Sequence, residues 1–81
     1  MSDELYTVKW LNENYPVHFE VLYKSMYKRL YILARNFLMD EELADDVIQD
    51  VFMGLWNKGK NMPGDIPLER YLFTSVRNLC V

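Results

Sequence analysis

Apolar and polar positions alternate with the period of an α-helix over most of this chain. Residues 17 to 38 carry apolar side chains at spacings of three and four, which predicts one long amphipathic helix. Asp40 has the side chain of an N-cap, and the helical spacing resumes after it to about Trp56. The glycines and prolines between residues 57 and 66 predict a loop, and Pro67 would take the first position of a last helix.

A weaker pattern at residues 4 to 13 predicts a short N-terminal helix, which Pro16 separates from the long one. No strand pattern, internal repeat or low-complexity tract occurs. The sequence therefore predicts an all-α fold, a compact bundle of three main helices with a short leading helix. Residues 1 to 15 would form a leader and residues 16 to 81 the helical domain. Because the last helical pattern stops without a cap, we expect a domain truncated within its last helix.

Composition limits the classes of protein that need to be considered. An apolar content of 51% with 15% aromatics lets a chain of 81 residues form a single core. No apolar run is long enough to span a membrane, and the acidic N-terminus differs from a signal peptide. Cys80 is the only cysteine, which excludes an internal disulfide and fits a reducing compartment. We therefore expect a cytoplasmic protein that does not bind a membrane.

Charge is segregated along the chain although the net charge is only -3. Residues 40 to 50 contain six acids and no base, whereas residues 17 to 35 and the part from Lys58 onward are net positive. Such segregation can present a negative surface to one partner and a positive surface to another. The same charges are also compatible with simple solvation of the outer helix faces.

The second long helix has two distinct faces when it is projected at about 100° per residue. Its apolar face, which we expect in the core, comprises Leu43, Ala44, Val47, Ile48, Val51, Phe52 and Leu55. Its outer face includes Asp45, Asp46, Gln49, Asp50 and Met53. An apolar side chain framed by acids has the composition of a small protein-binding patch, although a lone surface methionine is also common.

The last predicted helix is basic on its polar side. Its apolar side comprises Leu68, Tyr71, Leu72, Val76 and Leu79, and its polar side comprises Arg70, Thr74, Arg77 and Asn78. The preceding loop adds Lys58, Lys60 and Met62. Guanidinium, hydroxyl and amide groups can bind phosphates and base edges, although such a face also suits water. Tyr71 could pack inward or offer its ring for base stacking.

Catalytic and metal chemistry are poorly supported by the residue types. His18, the only histidine, has no cysteine or serine partner in a recognisable motif, and we expect it on the surface at a helix start. The acids at positions 45, 46 and 50 lack the loop spacing of a calcium site, and no glycine-rich phosphate loop occurs. The aromatic side chains of the long helix are interpreted as core and near-core packing, namely Phe19, Tyr23, Tyr27, Tyr31 and Phe37. We expect no enzyme activity, no metal and no cofactor.

Two motifs resemble region 2 of bacterial sigma factors of the extracytoplasmic-function group. The first is Ala44-Asp45-Asp46-Val47-Ile48-Gln49-Asp50-Val51-Phe52-Met53-Gly54-Leu55-Trp56, and the second is Tyr71-Leu72-Phe73-Thr74-Ser75-Val76-Arg77-Asn78. The resemblance covers about residues 17 to 81. It implies a transcription initiation factor that binds RNA polymerase and recognises a promoter.

In that family the helix similar to the acidic one docks on an arginine-rich coiled coil of the polymerase beta-prime subunit. The resemblance assigns Asp46, Gln49 and Asp50 to this contact, and Asp45 and Met53 lie on the same face. Carboxylates accept paired hydrogen bonds from arginine, which gives the contact a physical basis. An anti-sigma factor and a homodimer of the chain are further expected partners.

The family reads the minus-ten promoter element as single-stranded DNA with its last helix and the loop before it. The resemblance and the basic loop together assign nine side chains to DNA binding: Lys58, Lys60, Met62, Arg70, Tyr71, Thr74, Ser75, Arg77 and Asn78. Asn78 would contact a flipped base, and Met62 would line the pocket for that base. Tyr71 stands where relatives commonly have tryptophan, and a methionine at position 62 stacks less well than an aromatic ring.

A second function stays open from the residues alone. A helical protein-interaction module could bind a basic partner helix through the acidic face and never contact DNA. A helix-turn-helix encoded downstream in the parent open reading frame would favour the sigma-factor interpretation.

Overall fold

The computed structural model describes residues 6 to 81, which are mostly helical. The α-helices are α1 (Val8–Glu13), α2 (Tyr15–Leu38), α3 (Glu41–Lys58) and α4 (Leu68–Cys80), and a single 3₁₀ turn covers Gly59–Asn61. The predicted all-α fold, with three main helices and a short leading helix, is confirmed. None of the helices in this part of the chain combines the length and apolarity that a membrane span requires.

The short leading helix starts later than its pattern predicted. The Thr7 side chain caps α1 by accepting a hydrogen bond from the Trp10 N–H at 3.2 Å. The helix predicted over residues 4 to 13 therefore begins at Val8, and its residues 4 and 5 lie outside the described part.

The long helix α2 begins earlier than predicted, at Tyr15 rather than at residue 17. Pro16 does not delay the start, because no backbone N–H is needed in the first turn of a helix. The domain boundary predicted between residues 15 and 16 therefore falls within the first turn of α2.

The turn from α2 to α3 is set by two adjacent residues. Met39 adopts the left-handed conformation (φ 59°), which ends α2. Its N–H donates to the Arg35 carbonyl at 2.8 Å. Asp40 then caps α3 as predicted, since its carboxylate accepts a hydrogen bond from the Leu43 N–H at 2.9 Å.

The end of α3 is held by a side chain from α2. The Tyr15 hydroxyl lies within hydrogen-bonding distance of the Leu55 and Trp56 carbonyls, at 2.9 and 2.8 Å, and donates to this pair. Burial raises the pKa of Tyr15 above its usual value. Gly59 allows this approach, because a Cβ there would lie 2.6 Å from the tyrosine oxygen.

Pro67 is the N-cap of α4 and not its first helical residue, so that prediction was wrong. Its backbone is extended (φ -77°, ψ 122°) and forms an isolated antiparallel bridge with Thr7. The next residue, Leu68, donates its N–H to the Tyr6 carbonyl at 2.6 Å. Pairing with the N-terminal segment keeps the chain extended for one residue longer than proline's local preference predicts.

One apolar core joins all four helices. Its buried side chains are Val8, Leu11, Tyr15, Leu22, Met26, Leu30, Ala34, Ala44, Ile48, Val51, Phe52, Leu55, Leu68, Leu72 and Val76. Three predicted core positions were wrong, because Phe37, Leu43 and Leu79 are exposed by 47%, 53% and 55%. Each lies in a terminal turn of its helix, where fewer neighbouring helices can cover it. The other four aromatic positions predicted to pack in or near the core are half-buried against it, namely Phe19, Tyr23, Tyr27 and Tyr31.

His18 is half-buried, contrary to the surface position predicted for it. Its ring stacks on Trp10 with the centroids 4.4 Å apart, and its Nδ1 lies 2.6 Å from the Trp10 carbonyl oxygen. Because a carbonyl can only accept, Nδ1 is the donor in this bond. The reason for the burial is that α1 folds back against α2.

A partly buried ion pair joins α2 to α4. Glu69 is exposed by only 7%, and its Oε2 lies 3.3 Å from Nη2 of Arg29, whose side chain is about half exposed. Glu69 was not among the residues predicted from the sequence to be buried. It stands three and seven residues before Leu72 and Val76, and this spacing places it on the buried face of α4.

Candidate functional site

The outer face of α3 carries the side chains assigned to a protein partner. Asp46, Gln49, Asp50 and Met53 are all exposed, and Met53 is exposed by 61%. We call these four residues the α3 strip. The opposite side of α3 is buried in the core, so the strip is a helical surface of fixed orientation.

Two tyrosines of α2 lie along one edge of the α3 strip. The Tyr27 hydroxyl donates a hydrogen bond to the Asp45 carboxylate, and Nε2 of Gln49 donates to the Tyr23 hydroxyl at 2.8 Å. The bond to Asp45, together with burial, raises the pKa of Tyr27 to about 12. Asp45 is half-buried, so it is less accessible to a partner than Asp46.

Two surface grooves adjoin the α3 strip. The first has a volume of about 250 Å³, and it is lined by Phe19, Tyr23, Gln49, Phe52, Met53 and Trp56. The second has a volume of about 470 Å³, and it is lined by Tyr27, Tyr31, Glu41, Glu42, Asp45 and Asp46. The surface therefore offers an apolar contact and an acidic contact side by side. This combination suits a basic helix with some apolar side chains.

The outer side of α4 contains a cleft of about 390 Å³, which we call the α4 cleft. It is lined by Ile66, Pro67, Arg70, Tyr71, Thr74, Ser75 and Asn78. Five of the nine predicted DNA-binding side chains are thus brought together in one concavity. Tyr71 is half-buried against the core and also lines the cleft, so both roles left open for it are compatible with its position.

The other four predicted DNA-binding residues do not line the α4 cleft: Lys58, Lys60, Met62 and Arg77. Arg77 lies with Thr74 in a separate depression of about 200 Å³. Met62 is half-buried against the core. Nζ of Lys60 lies 5.3 Å from the ring centroid of Tyr15, a distance typical of a cation–π contact, and Lys58 is exposed.

Two cleft residues, Ile66 and Pro67, were not found from the sequence. Both belong to the predicted loop region, and their place in the cleft depends on how the loop is folded against α1. The periodicity of α4 carried no signal for them.

Metal and thiol chemistry find little support in the structure. Within residues 6 to 81 no group of three or more histidine, cysteine, aspartate or glutamate side chains is placed to hold a metal ion. Burial raises the pKa of the Cys80 thiol, which favours the unreactive protonated form.

The chain matches the family model of sigma-70 region 2 over residues 22–81. This match covers well over half of the chain and includes α3, α4 and most of α2, so the chain belongs to the sigma-70 region 2 family. It is a sigma factor domain for RNA polymerase binding and promoter recognition, and the family is not a known enzyme family. Neither the comparison with curated proteins nor the comparison with solved structures found a match.

Proposed function

We propose that this domain recruits RNA polymerase through the α3 strip and holds the melted minus-ten promoter strand in the α4 cleft. In this proposal it is a sigma factor of the extracytoplasmic-function group that acts in the cytoplasm. The strongest support is the α4 cleft, which gathers five predicted DNA-binding side chains within the residues that match the family.

The proposed partner of the α3 strip is the arginine-rich coiled coil of the beta-prime subunit. Asp46 and Asp50 are exposed carboxylates that can accept paired hydrogen bonds from guanidinium groups. Met53 supplies an exposed apolar anchor on the same face, and Tyr23 orients the amide of Gln49. Opposite charge on the two surfaces favours fast and specific association.

The proposed ligand of the α4 cleft is unpaired DNA. The amide of Asn78 can both donate to and accept from a base edge, and Thr74 and Ser75 add hydroxyl groups. Arg70 contributes a positive charge suited to phosphate, and Tyr71 contributes an aromatic ring. Base edges are hidden in a stacked duplex, so the cleft should strongly favour a single strand.

The DNA contact is tested by titrating fluorescent minus-ten oligonucleotides, single-stranded and duplex, against the chain and its variants. Asn78→Ala should reduce discrimination at one base by about 1 to 3 kcal/mol. Lys60→Ala should weaken all sequences alike and make the salt dependence of binding less steep. Asn36→Ala, at an exposed position of α2, is the matched control for the loss of an amide.

Two results would contradict the DNA-binding proposal. One is equal affinity for duplex and single strand. The other is an unchanged base preference when Asn78 is replaced.

The polymerase contact is tested by a pull-down with core polymerase. The double variant Asp46→Ala/Gln49→Ala should weaken binding by about 1 to 3 kcal/mol with a nearly unchanged melting temperature, because both residues are exposed. The matched control is Glu20→Ala/Asn36→Ala, which removes one exposed acid and one exposed amide from α2. Wild-type binding by the α3 double variant would rule out this surface.

The alternative is a module that binds a basic helix through the acidic face without binding DNA. The groove that combines two tyrosine rings with four acids favours it. The same experiments separate the two functions, because the module would bind a basic helix through α3 and show no affinity for the minus-ten strand.

A further inference from the structure

The N-terminal segment is hydrogen-bonded to the loop that precedes α4. We call residues 6 to 12 the clamp segment and residues 59 to 67 the cleft loop. Four bonds join the clamp segment to the cleft loop and to the residue after it: Val8 N–H to Ile66 O (3.1 Å), Lys9 N–H to Gly64 O (2.9 Å), Leu68 N–H to Tyr6 O (2.6 Å) and Asn12 Nδ2 to Gly59 O (3.2 Å). The clamp segment lies outside the residues that match the family.

The cleft loop depends on these bonds for its shape. Its own backbone bonds, from Met62 N–H to Gly59 O and from Ile66 N–H to Pro63 O, are longer at 3.3 and 3.4 Å. The three backbone bonds to the clamp segment are shorter, at 2.6 to 3.1 Å. The loop is therefore held in part from outside itself.

The clamp segment is itself firmly anchored. Val8 and Leu11 are completely buried in the core. Trp10 stacks on His18, and the hydrogen bond from the imidazole to the Trp10 carbonyl ties the segment to α2. A segment fixed in this way can impose its geometry on the loop.

The clamped residues form one wall of the α4 cleft. Ile66 and Pro67 both line the cleft. The Ile66 carbonyl accepts the hydrogen bond from Val8, and Pro67 forms the backbone bridge with Thr7. The wall of the α4 cleft is thus directly hydrogen-bonded to the clamp segment.

We propose that the clamp segment is a positioning element for promoter readout. It fixes the wall of the α4 cleft and so sets how well the cleft distinguishes one unpaired base from another. The proposal rests on the proposed function of the cleft. Asn12 is the most accessible point at which to test it, because its side chain is exposed on α1 and bonds to Gly59 across the junction.

The test compares Asn12→Ala with Asn36→Ala, which makes the same change in another helix at an exposed site away from the loop. Amide hydrogen exchange should be about fivefold faster at Lys9, Met62 and Leu68 in the first variant and unchanged in the second. Affinity of the matched minus-ten strand should fall about twofold to fivefold, because a less firmly held wall must be ordered when the strand binds. Affinity for a mismatched strand and the salt dependence should stay the same.

Asn12→Asp separates the lost hydrogen bond from lost packing. It keeps the side-chain shape but cannot donate when ionised, so exchange of the same amides should quicken as it does in the alanine variant. If these amides were as protected from exchange in Asn12→Asp as in the wild type, the hydrogen bond from Asn12 to Gly59 would not hold the loop. The clamp proposal would then fail.

The outcomes for the clamp and for the proposed function are distinguishable. The clamp proposal would be wrong if Asn12→Ala changed neither the amide exchange nor the discrimination between matched and mismatched strands. If Asn78→Ala lost that discrimination in the same experiments, the DNA site would remain supported. The DNA site would be wrong if the wild-type chain did not discriminate between matched and mismatched strands. Faster amide exchange in Asn12→Ala would then show only that the clamp segment holds the loop, and its role in promoter readout would fail with the DNA site.

Discussion

Replacing Tyr15 by phenylalanine tests how the end of α3 is held. The hydroxyl is the donor shared by the Leu55 and Trp56 carbonyls near the end of α3, and the Leu55 carbonyl also accepts the N–H of the cap residue Gly59. The ring would stay in place, because it is almost completely buried and packs edge-on against the Trp56 ring at 5.2 Å. The substitution therefore removes one oxygen and leaves the core packing nearly unchanged.

The expected cost follows from the burial of the two acceptors. The Leu55 carbonyl keeps the hydrogen bond from the Gly59 N–H, so the loss is that of an ordinary hydrogen bond, about 0.5 to 1.5 kcal/mol. The Leu55 bond is buried, whereas the Trp56 bond is only partly buried and water can replace it in part. We therefore expect a loss of about 1 kcal/mol in the free energy of unfolding. In a domain of this size that corresponds to a melting temperature lower by roughly 4 to 8 °C.

Urea unfolding of both proteins measures this difference directly. The matched control is Tyr31→Phe, since Tyr31 is a half-buried tyrosine of the same helix whose hydroxyl makes no hydrogen bond within residues 6 to 81. The control should change stability by less than about 0.5 kcal/mol. If Tyr15→Phe differed from wild type by no more than its control, the hydroxyl would not hold the end of α3.

Further substitutions probe two other polar contacts between helices. Arg29→Ala should cost about 1 to 3 kcal/mol, because it leaves the buried Glu69 carboxylate unpaired, and adding Glu69→Gln should recover part of this loss in urea unfolding. Folding raises the Tyr27 pKa from 10.0 to about 12, so the stability that its protonated form contributes is complete below pH 10 and is lost as the pH rises towards 12. Asp45→Ala should lower the pKa of Tyr27 in an absorbance titration and flatten this decline, and an unchanged titration would contradict the assigned bond.

The sequence by itself determined the helices and their outer faces. Apolar residues spaced by three and four predicted α2, α3 and α4, and Asp40 predicted the start of α3, because periodicity and capping act within a few residues of the chain. The same local rule placed Asp46, Gln49 and Met53 on the solvent side of α3. It failed for apolar residues in terminal turns such as Leu43, since projection of one helix does not show where its neighbours end.

Only the tertiary structure decided the contacts between distant parts of the chain. The bond from Tyr15 to the end of α3 spans 40 residues, and the bond from Asn12 to Gly59 spans 47. No local pattern encodes such partners, because they depend on how the helices pack. For the same reason the sequence did not predict that the N-terminal segment would be hydrogen-bonded to the loop whose residues Ile66 and Pro67 line the α4 cleft.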